Sequence, residues 1–454
     1  MKYLQKVTRL NIMLSVVTSI IIIPQQKESL AETCPCDIYA TGGTPCVAAH
    51  STVRALYGSY NGLLYQVRRA SDNKTRDIGV LTPGGYANSA AQDSFCTGTK
   101  CVTTVVYDQS GKGNHLWYQG SDVVPGSPKS SPAVANTEYF NINGHKVYSL
   151  YIKPGNSYWR DGSKTGVPTG SQPEGMYMVT SGTHYNNGCC FDYGNSETTR
   201  KADAAGAMDA INFGNQCWFG NCSGSGPWVQ ADLEWGLFPG GSQSWNPNQK
   251  AFPHKYVTAI LKNNGLTKFA IKGGNAQSGN LTTLYEGKLP NGYSPMKKQG
   301  AIILGSGGDC CKPDGGANLS EGTFYEGAIT SGYPSDTTEN LLQANIVDAG
   351  YGRNTTAIES FSTGSANVMI TNNIRVKCSN SSLKVEFKAP VNGITFLKIY
   401  DLKGNFIDKK DITTKSGEFY NYSFNMLTRP NGNYIVKVMT GTNMIHTSKV
   451  ILIK

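Results

Sequence analysis

Short apolar runs broken by glycine, serine, asparagine and proline govern what this chain can fold into. Between Cys36 and Tyr351 the runs Cys101–Asp108, Lys146–Ile152, Tyr256–Lys262, Lys268–Lys272, Ala301–Leu304 and Thr323–Thr330 each fit a strand, with turn-forming residues between the runs. Spacing of this kind specifies an all-β protein, a sandwich or jelly roll. The 52 glycines and 25 tyrosines among 454 residues suit many turns and aromatic surfaces and disfavour a helical bundle. One helix stands out near the end of this region. Asp336-Thr337-Thr338-Glu339 reads as a capping box with Asp in the Ser/Thr role, Leu341, Leu342, Ile346 and Val347 follow at helical spacing, and Gly350 is the stop.

At this length one core is too few, and the composition divides the chain. Lys2, Lys6 and Arg9 precede a broken apolar run from Leu10 to Ile23, and Ser29-Leu30-Ala31 offers a small-x-small cleavage site. Residues 1–31 therefore read as a secretory signal, too short and interrupted for a stable membrane span. Residues 32–352 form the main β-domain, and 353–374, rich in Asn, Thr and Ser, a linker. Residues 375–454 return to strand patterning, with Leu383, Val385 and Phe387 alternating with Lys384, Glu386 and Lys388, and suit a small second β-sandwich.

The net charge of +10 is unevenly placed. Residues 375–454 carry thirteen Lys/Arg against five Asp/Glu and residues 1–31 four against one, which leaves the main domain at about −1. A near-neutral domain has no electrostatic footprint for nucleic acid and suits a neutral substrate such as a plant polysaccharide. The twelve cysteines fit an oxidising compartment. Their local spacing favours short-loop disulfides, Cys36–Cys46, Cys96–Cys101 and Cys217–Cys222, over zinc, for which no paired C-x-x-C knuckles exist and the six histidines are scattered. The sequence leaves the partners of Cys34, Cys310, Cys311 and Cys378 open, and adjacent Cys189 and Cys190, with Cα atoms about 3.8 Å apart in a trans peptide, read from the residues alone as having separate partners.

The stretch GSGPWVQADLEWGLF (224–238) holds two carboxylates in alternation, Asp232 and Glu234, beside Trp228 and Trp235. In an extended segment both acids project from one face. Acids beside indoles suit a sugar site; the polar face of a surface strand is the plainer reading. No dinucleotide fingerprint, P-loop or G-x-S-x-G elbow is present.

Several blocks together carry a resemblance: CDIYATGGTPCVAAHSTVRALYGSYNGLLYQVRRASD (36–72), GYANSAAQDSFC (85–96), YDQSGKGNHL (107–116), PEGMY (173–177), THYNNGCCFDYGNSET (183–198), the 224–238 stretch, PMKKQGAIILGSGGD (295–309) and GTFYEGAITSGYPSDTTENLLQANIV (322–347). Over about residues 34–352 the chain resembles the catalytic domain of the glycoside hydrolase family 54 α-L-arabinofuranosidases. The resemblance implies a concanavalin-like β-sandwich hydrolase that removes terminal α-L-arabinofuranosyl units from arabinoxylan or arabinan with net retention, without metal or organic cofactor. Retention needs two carboxyl groups about 5–5.5 Å apart. By resemblance the nucleophile is Glu234 and the general acid/base Asp309, a residue that the flanking Gly305, Gly307 and Gly308 would otherwise mark as a turn aspartate. Asp232, Trp235, Met208, Phe219 and Gly308 are implied to contact the sugar, and Cys189–Cys190 to form a disulfide that offers it a flat sulfur surface.

Three departures from the family pattern touch the site. Trp235 stands where the family commonly has Asn, Phe219 beside Trp218 where it has Trp, and Cys310-Cys311-Lys312-Pro313-Asp314 is inserted after Asp309. The 80 residues at the C-terminus are too few for the arabinose-binding trefoil many members carry. They resemble instead a type IX secretion C-terminal sorting domain, through LKIYDLKGNFI (397–407), the segment from Leu427 to Val438, and SKVILIK (448–454). That implies secretion machinery as a partner and an extracellular, even surface-attached, location. A lectin-like sandwich that binds arabinosyl glycans without cleaving them, and a related specificity (β-xylosidase or galactofuranosidase), are the alternatives.

Overall fold

The computed structural model describes residues 33–118, 130–218, 222–306, 318–354, 367–371, 374–378, 382–389, 392–401, 405–440 and 443–452. The signal segment 1–31 lies outside them. Among the described residues no helix is long and apolar enough to cross a membrane.

Two antiparallel sheets face each other in the main domain. One has the order Cys46–Ser51, Gly322–Ser331, Glu174–Tyr185, Val257–Asn263, Lys268–Asn275, Thr282–Lys288, with Leu150–Ile152 also paired to Gly322–Ser331. The other runs Leu237–Phe238, Trp228–Asp232, Asp209–Gly214, Asp192–Ser196, Ala301–Leu304, Tyr158–Asp161, Leu116–Tyr118, Cys101–Val106, Leu63–Arg69, Thr75–Gly79. Strand alternation decides what each face buries. Met176 and Met178 of the first sheet meet Tyr193, Ile211, Phe213, Val229, Ala231, Ile302 and Leu304 of the second in one core. The intervening Tyr177 and Val179 point the other way, into a second core with Tyr39, Leu342 and Ile346. The central strands Gly322–Ser331, Glu174–Tyr185 and Val257–Asn263 are thus buried on both faces over most of their length, while the edge strand Thr282–Lys288 is partly exposed.

The helix Asp336–Ala349 covers that outer face, and its start differs from the sequence expectation. Ser335, not Asp336, is the N-cap, its Oγ accepting from the Thr338 N–H at 3.1 Å. Glu339 does not reach back to the cap because its buried carboxylate holds Lys262 and Lys272, at 3.0 and 2.6 Å. Neutralising two buried ammonium groups outweighs a single capping bond. Gly350 takes the expected left-handed conformation, φ 78°. Two seven-residue helices, Pro35–Thr41 and Ser89–Phe95, were not expected from the sequence. Cys36–Cys46 ties the first to the strand that follows it, and Cys96–Cys101 joins the end of the second to strand Cys101–Val106.

A buried charge cluster sits between the sheets. Lys298 Nζ lies 3.0 Å from Glu174 Oε1 and 3.7 Å from Asp209 Oδ2, with none of the three side chains exposed. Asn195 and Asn263 donate to the two carboxyls.

The C-terminal residues form two four-stranded sheets. Asn367–Thr371, Ile374–Cys378, Ser382–Lys388 and Phe419–Asn425 make one; Phe406–Thr414, Gly393–Asp401, Gly432–Thr440 and Asn443–Leu452 make the other. Leu383, Val385 and Phe387 share a core with Leu397, Ile399, Val436 and Val438. The first of these strands falls within the stretch read as linker.

Candidate active site

Three neighbouring strands of the second sheet carry a polar patch on the face turned away from the core. Directly opposed residues share a face, and the register pairs Asp232 with Ala210, Gln230 with Asn212, and Asn212 with Asp192. Their chain neighbours Val229, Ala231, Ile211, Phe213 and Tyr193 fill the core. Gln230, Asp232, Asn212 and Asp192 therefore project together on the other side, all buried, with Asp232 the most exposed at 9%. Asn212 Nδ2 donates to Asp192 Oδ1 at 2.8 Å.

Glu234 enters this patch by a route the alternation argument did not foresee. The strand ends at Asp232, and Glu234 and Trp235 both take left-handed backbone conformations, φ 67° and 57°. Successive positive φ values at non-glycine residues cost about 1–3 kcal/mol each and persist only where surroundings enforce them. Here the Glu234 N–H donates to Asp232 Oδ1 at 3.1 Å and the Glu234 carbonyl accepts from Tyr293 Oη at 2.7 Å. The Trp235 N–H donates to Glu234 Oε1 at 3.2 Å. Glu234 is 4% exposed, and its Oε2 has no hydrogen-bond partner among the described residues. Burial, then the charges of Asp232 and Glu234, push the Tyr293 hydroxyl up to about 12, so it stays a donor.

Cys189 and Cys190 are bonded to each other across a cis peptide, their Cα atoms 3.0 Å apart, in place of the separate partners that the residues alone favoured. They stand just before strand Asp192–Ser196, nearly buried. The Cys190 sulfur and the carboxylates of Asp192 and Asp232 lie within 4.8 Å of one another. With that sulfur held in the disulfide the trio has no thiolate to offer a metal, and a neutral polar ligand suits it better. Met208 packs with Ala210, Ala301, Ile303 and Trp159, where Trp159 and Ala210 share Asp232's face of the sheet.

Two further segments converge here. The Gly305 N–H donates to the Asp192 carbonyl at 2.9 Å, and the Leu319 N–H to the Cys189 carbonyl at 3.0 Å. The chain thus leaves and re-enters the described structure, at buried Ser306 and Asn318, beside the site. Gly308, Asp309, Cys310, Cys311 and Asp314 lie outside the described residues, as does Phe219. Trp218, next to the Cys217–Cys222 disulfide, is half exposed. Sequence reasoning missed Asp192, Asn212, Gln230 and Tyr293. Only Asp192 had a signal, two residues beyond the cysteine pair.

Residues 35–352 match the family described as alpha-L-arabinofuranosidase B, catalytic, and residues 378–454 the secretion system C-terminal sorting domain. The chain is 52% identical over 332 residues to a probable alpha-L-arabinofuranosidase B of Aspergillus fumigatus, covering 71% of this chain and 63% of that protein. It is 49% identical over 343 residues to the alpha-L-arabinofuranosidase B of Emericella nidulans, covering 74% and 65%. The chain thus spans a little under two thirds of the length of these curated relatives. Among solved structures it is similar to a glycoside hydrolase family 54 α-L-arabinofuranosidase soaked with a cyclic sulfate inhibitor (42% identity, TM-score 0.66, 79% of this chain and 75% of that one). It is also similar to an arabinofuranosidase complexed with arabinofuranosyl-α-1,2-xylobiose (43%, TM-score 0.66, 78% and 74%).

Proposed function

This chain belongs to the alpha-L-arabinofuranosidase B catalytic family, and from that premise we propose that it is an exported, retaining exo-α-L-arabinofuranosidase acting on arabinoxylan or arabinan side chains. The observation that carries the mechanism is Glu234. It is a buried carboxylate with one oxygen that has no partner among the described residues, on a left-handed turn tied to Asp232 and Tyr293. Among the described residues no donor competes for that lone pair, which leaves it for an anomeric carbon.

In the first step Glu234 attacks C1 of the furanosyl unit as the bond to the leaving oxygen breaks, and Asp309 gives its proton to that oxygen. In the second, water attacks C1, Asp309 takes its proton, and the bond to Glu234 breaks, so two inversions give retention. Asp309 is three residues beyond Ser306, a span of at most about 11 Å of extended chain. The bond from the Gly305 amide to the Asp192 carbonyl, which starts that span beside the carboxylate cluster, supports the assignment. Asp232 is the acceptor for sugar hydroxyls as well as for the Glu234 amide, and acceptors fixed in a water-poor site strengthen as charge develops. The disulfide and Met208 supply apolar contact for the ring, Gly308 and the aromatic pair Trp218-Phe219 the remaining wall, and Trp235 the rim.

The C-terminal module serves export, with the secretion machinery as its partner. The test is a panel of aryl glycosides. Rapid turnover of the α-L-arabinofuranoside, with loss of at least a thousandfold in both Glu234→Gln and Asp309→Asn, is expected. Full activity in both variants would sink the assignment, and binding without turnover in the wild type would make this a lectin.

A further inference from the structure

The exposure of the site residues falls into two sets. Glu234, Asp232, Asp192, Cys189, Cys190 and Met208 are each at most 9% exposed. Trp235, the next residue after Glu234, is 59% exposed. A group so open does not line the enclosure that holds a single sugar; it stands where the rest of a substrate must lie.

Its backbone has little freedom to turn the ring elsewhere. The Trp235 N–H is bonded to Glu234 Oε1, its carbonyl accepts from Gln243 Nε2 at 3.1 Å, and its φ is 57°. Gly236 completes the clamp. At φ 156° a Cβ there would lie 1.8 Å from Gln243 Nε2, so no side chain fits without breaking the bond to Trp235. The result is a large apolar ring displayed to solvent from a fixed backbone, one residue from the nucleophile. The main domain is near neutral overall, which offers no long-range electrostatic hold on a polymer. Apolar ring contact is the recognition that a displayed indole supplies.

We propose that Trp235 is a specificity-determining platform on the leaving-group side, stacking against a pyranose of an uncharged backbone that bears the arabinofuranosyl branch. This rests on the arabinofuranosidase reading above. The platform raises the preference for branched oligosaccharides over substrates whose leaving group has no sugar ring.

The experiment compares kcat/KM on α-L-arabinofuranosyl fluoride with that on an arabinofuranosyl-substituted xylo-oligosaccharide, for wild type, Trp235→Asn and Trp235→Tyr. Asn tolerates positive φ and removes the ring; Tyr keeps a ring. The expected result is a loss at least tenfold greater on the oligosaccharide than on the fluoride for Trp235→Asn, residing in KM, with most of the difference restored in Trp235→Tyr. Equal losses on the two substrates overturn the platform while leaving the hydrolase reading intact. A wild type inert to both overturns both readings. Independently of any variant, an unbranched xylo-oligosaccharide is expected to compete with the branched substrate; no competition at ten times the substrate's KM also overturns the platform.

Discussion

Replacing Lys298 by Met tests the physical account of the scaffold beneath the site. Lys298 lies 3.0 Å from Glu174 and 3.7 Å from Asp209, all three unexposed, and Nζ also donates to the Gln172 carbonyl at 2.6 Å. Met matches its length but leaves two buried carboxyl groups without a cation. Breaking a buried pair from one side costs about 3–5 kcal/mol. Unfolding entropy of about 2.1 cal/mol/K per residue over the roughly 320 matched residues gives about 0.7 kcal/mol/K, so Tm should fall by about 4–7 °C. The pH dependence has a definite sign. Burial, with the Asp209 charge, raises Glu174 well above the usual carboxylate range against the opposing pull of Lys298. Above the unfolded value of about 4.5 the folded state keeps a proton that the unfolded chain releases, so stability falls as pH rises through that window. Without Lys298 the window widens, and the gap from wild type should be larger at pH 8 than at pH 5. Calorimetry at both pH values decides it. A variant melting within about 1 °C of wild type at both would refute the reasoning.

Further outcomes follow from other parts of the structure. Replacing Cys189 and Cys190 by Ala removes a ring of two residues and hence little chain entropy, so Tm should hold within about 2 °C while kcat/KM falls roughly 10–100-fold. Replacing Cys36 and Cys46, ten residues apart, should cost about 2–3 kcal/mol, read as about 4 °C in Tm, with kcat/KM unchanged within twofold. Burial, then the Lys153 charge, push His184 down to about 4, so its contribution is intact above the unfolded value of about 6.5 and is lost as pH falls from there toward 4. An imidazole proton titration with a midpoint near 6.5 would contradict this. Deleting residues 353–454 should leave kcat/KM on an aryl arabinofuranoside unchanged while abolishing export, measured in purified enzyme and in culture supernatant.

The all-β class, the two sheets and the closing helix were legible because strand alternation and turn residues act locally. The start of helix Asp336–Ala349 was not, since Glu339 answers to Lys262 and Lys272, residues distant in sequence that only the fold brings together. At the site, Asp232 was legible as an acid on a strand face, and Glu234 for the wrong reason. Alternation placed it beside Asp232, whereas a left-handed turn held by Tyr293 brings it there. Asn212 and Gln230 read as ordinary strand residues because their meaning depends on cross-strand register. The Cys189–Cys190 bond came from family likeness, not from spacing.

The central claim is that Glu234 forms a covalent bond to an arabinofuranosyl unit during turnover. The most direct measurement takes Glu234→Gly with an activated aryl α-L-arabinofuranoside and sodium azide. Azide in the space vacated by the carboxylate should restore turnover and yield the β-configured glycosyl azide, inverted relative to the substrate. No rescue beside undiminished activity of the variant, or a product of retained configuration, would contradict the account.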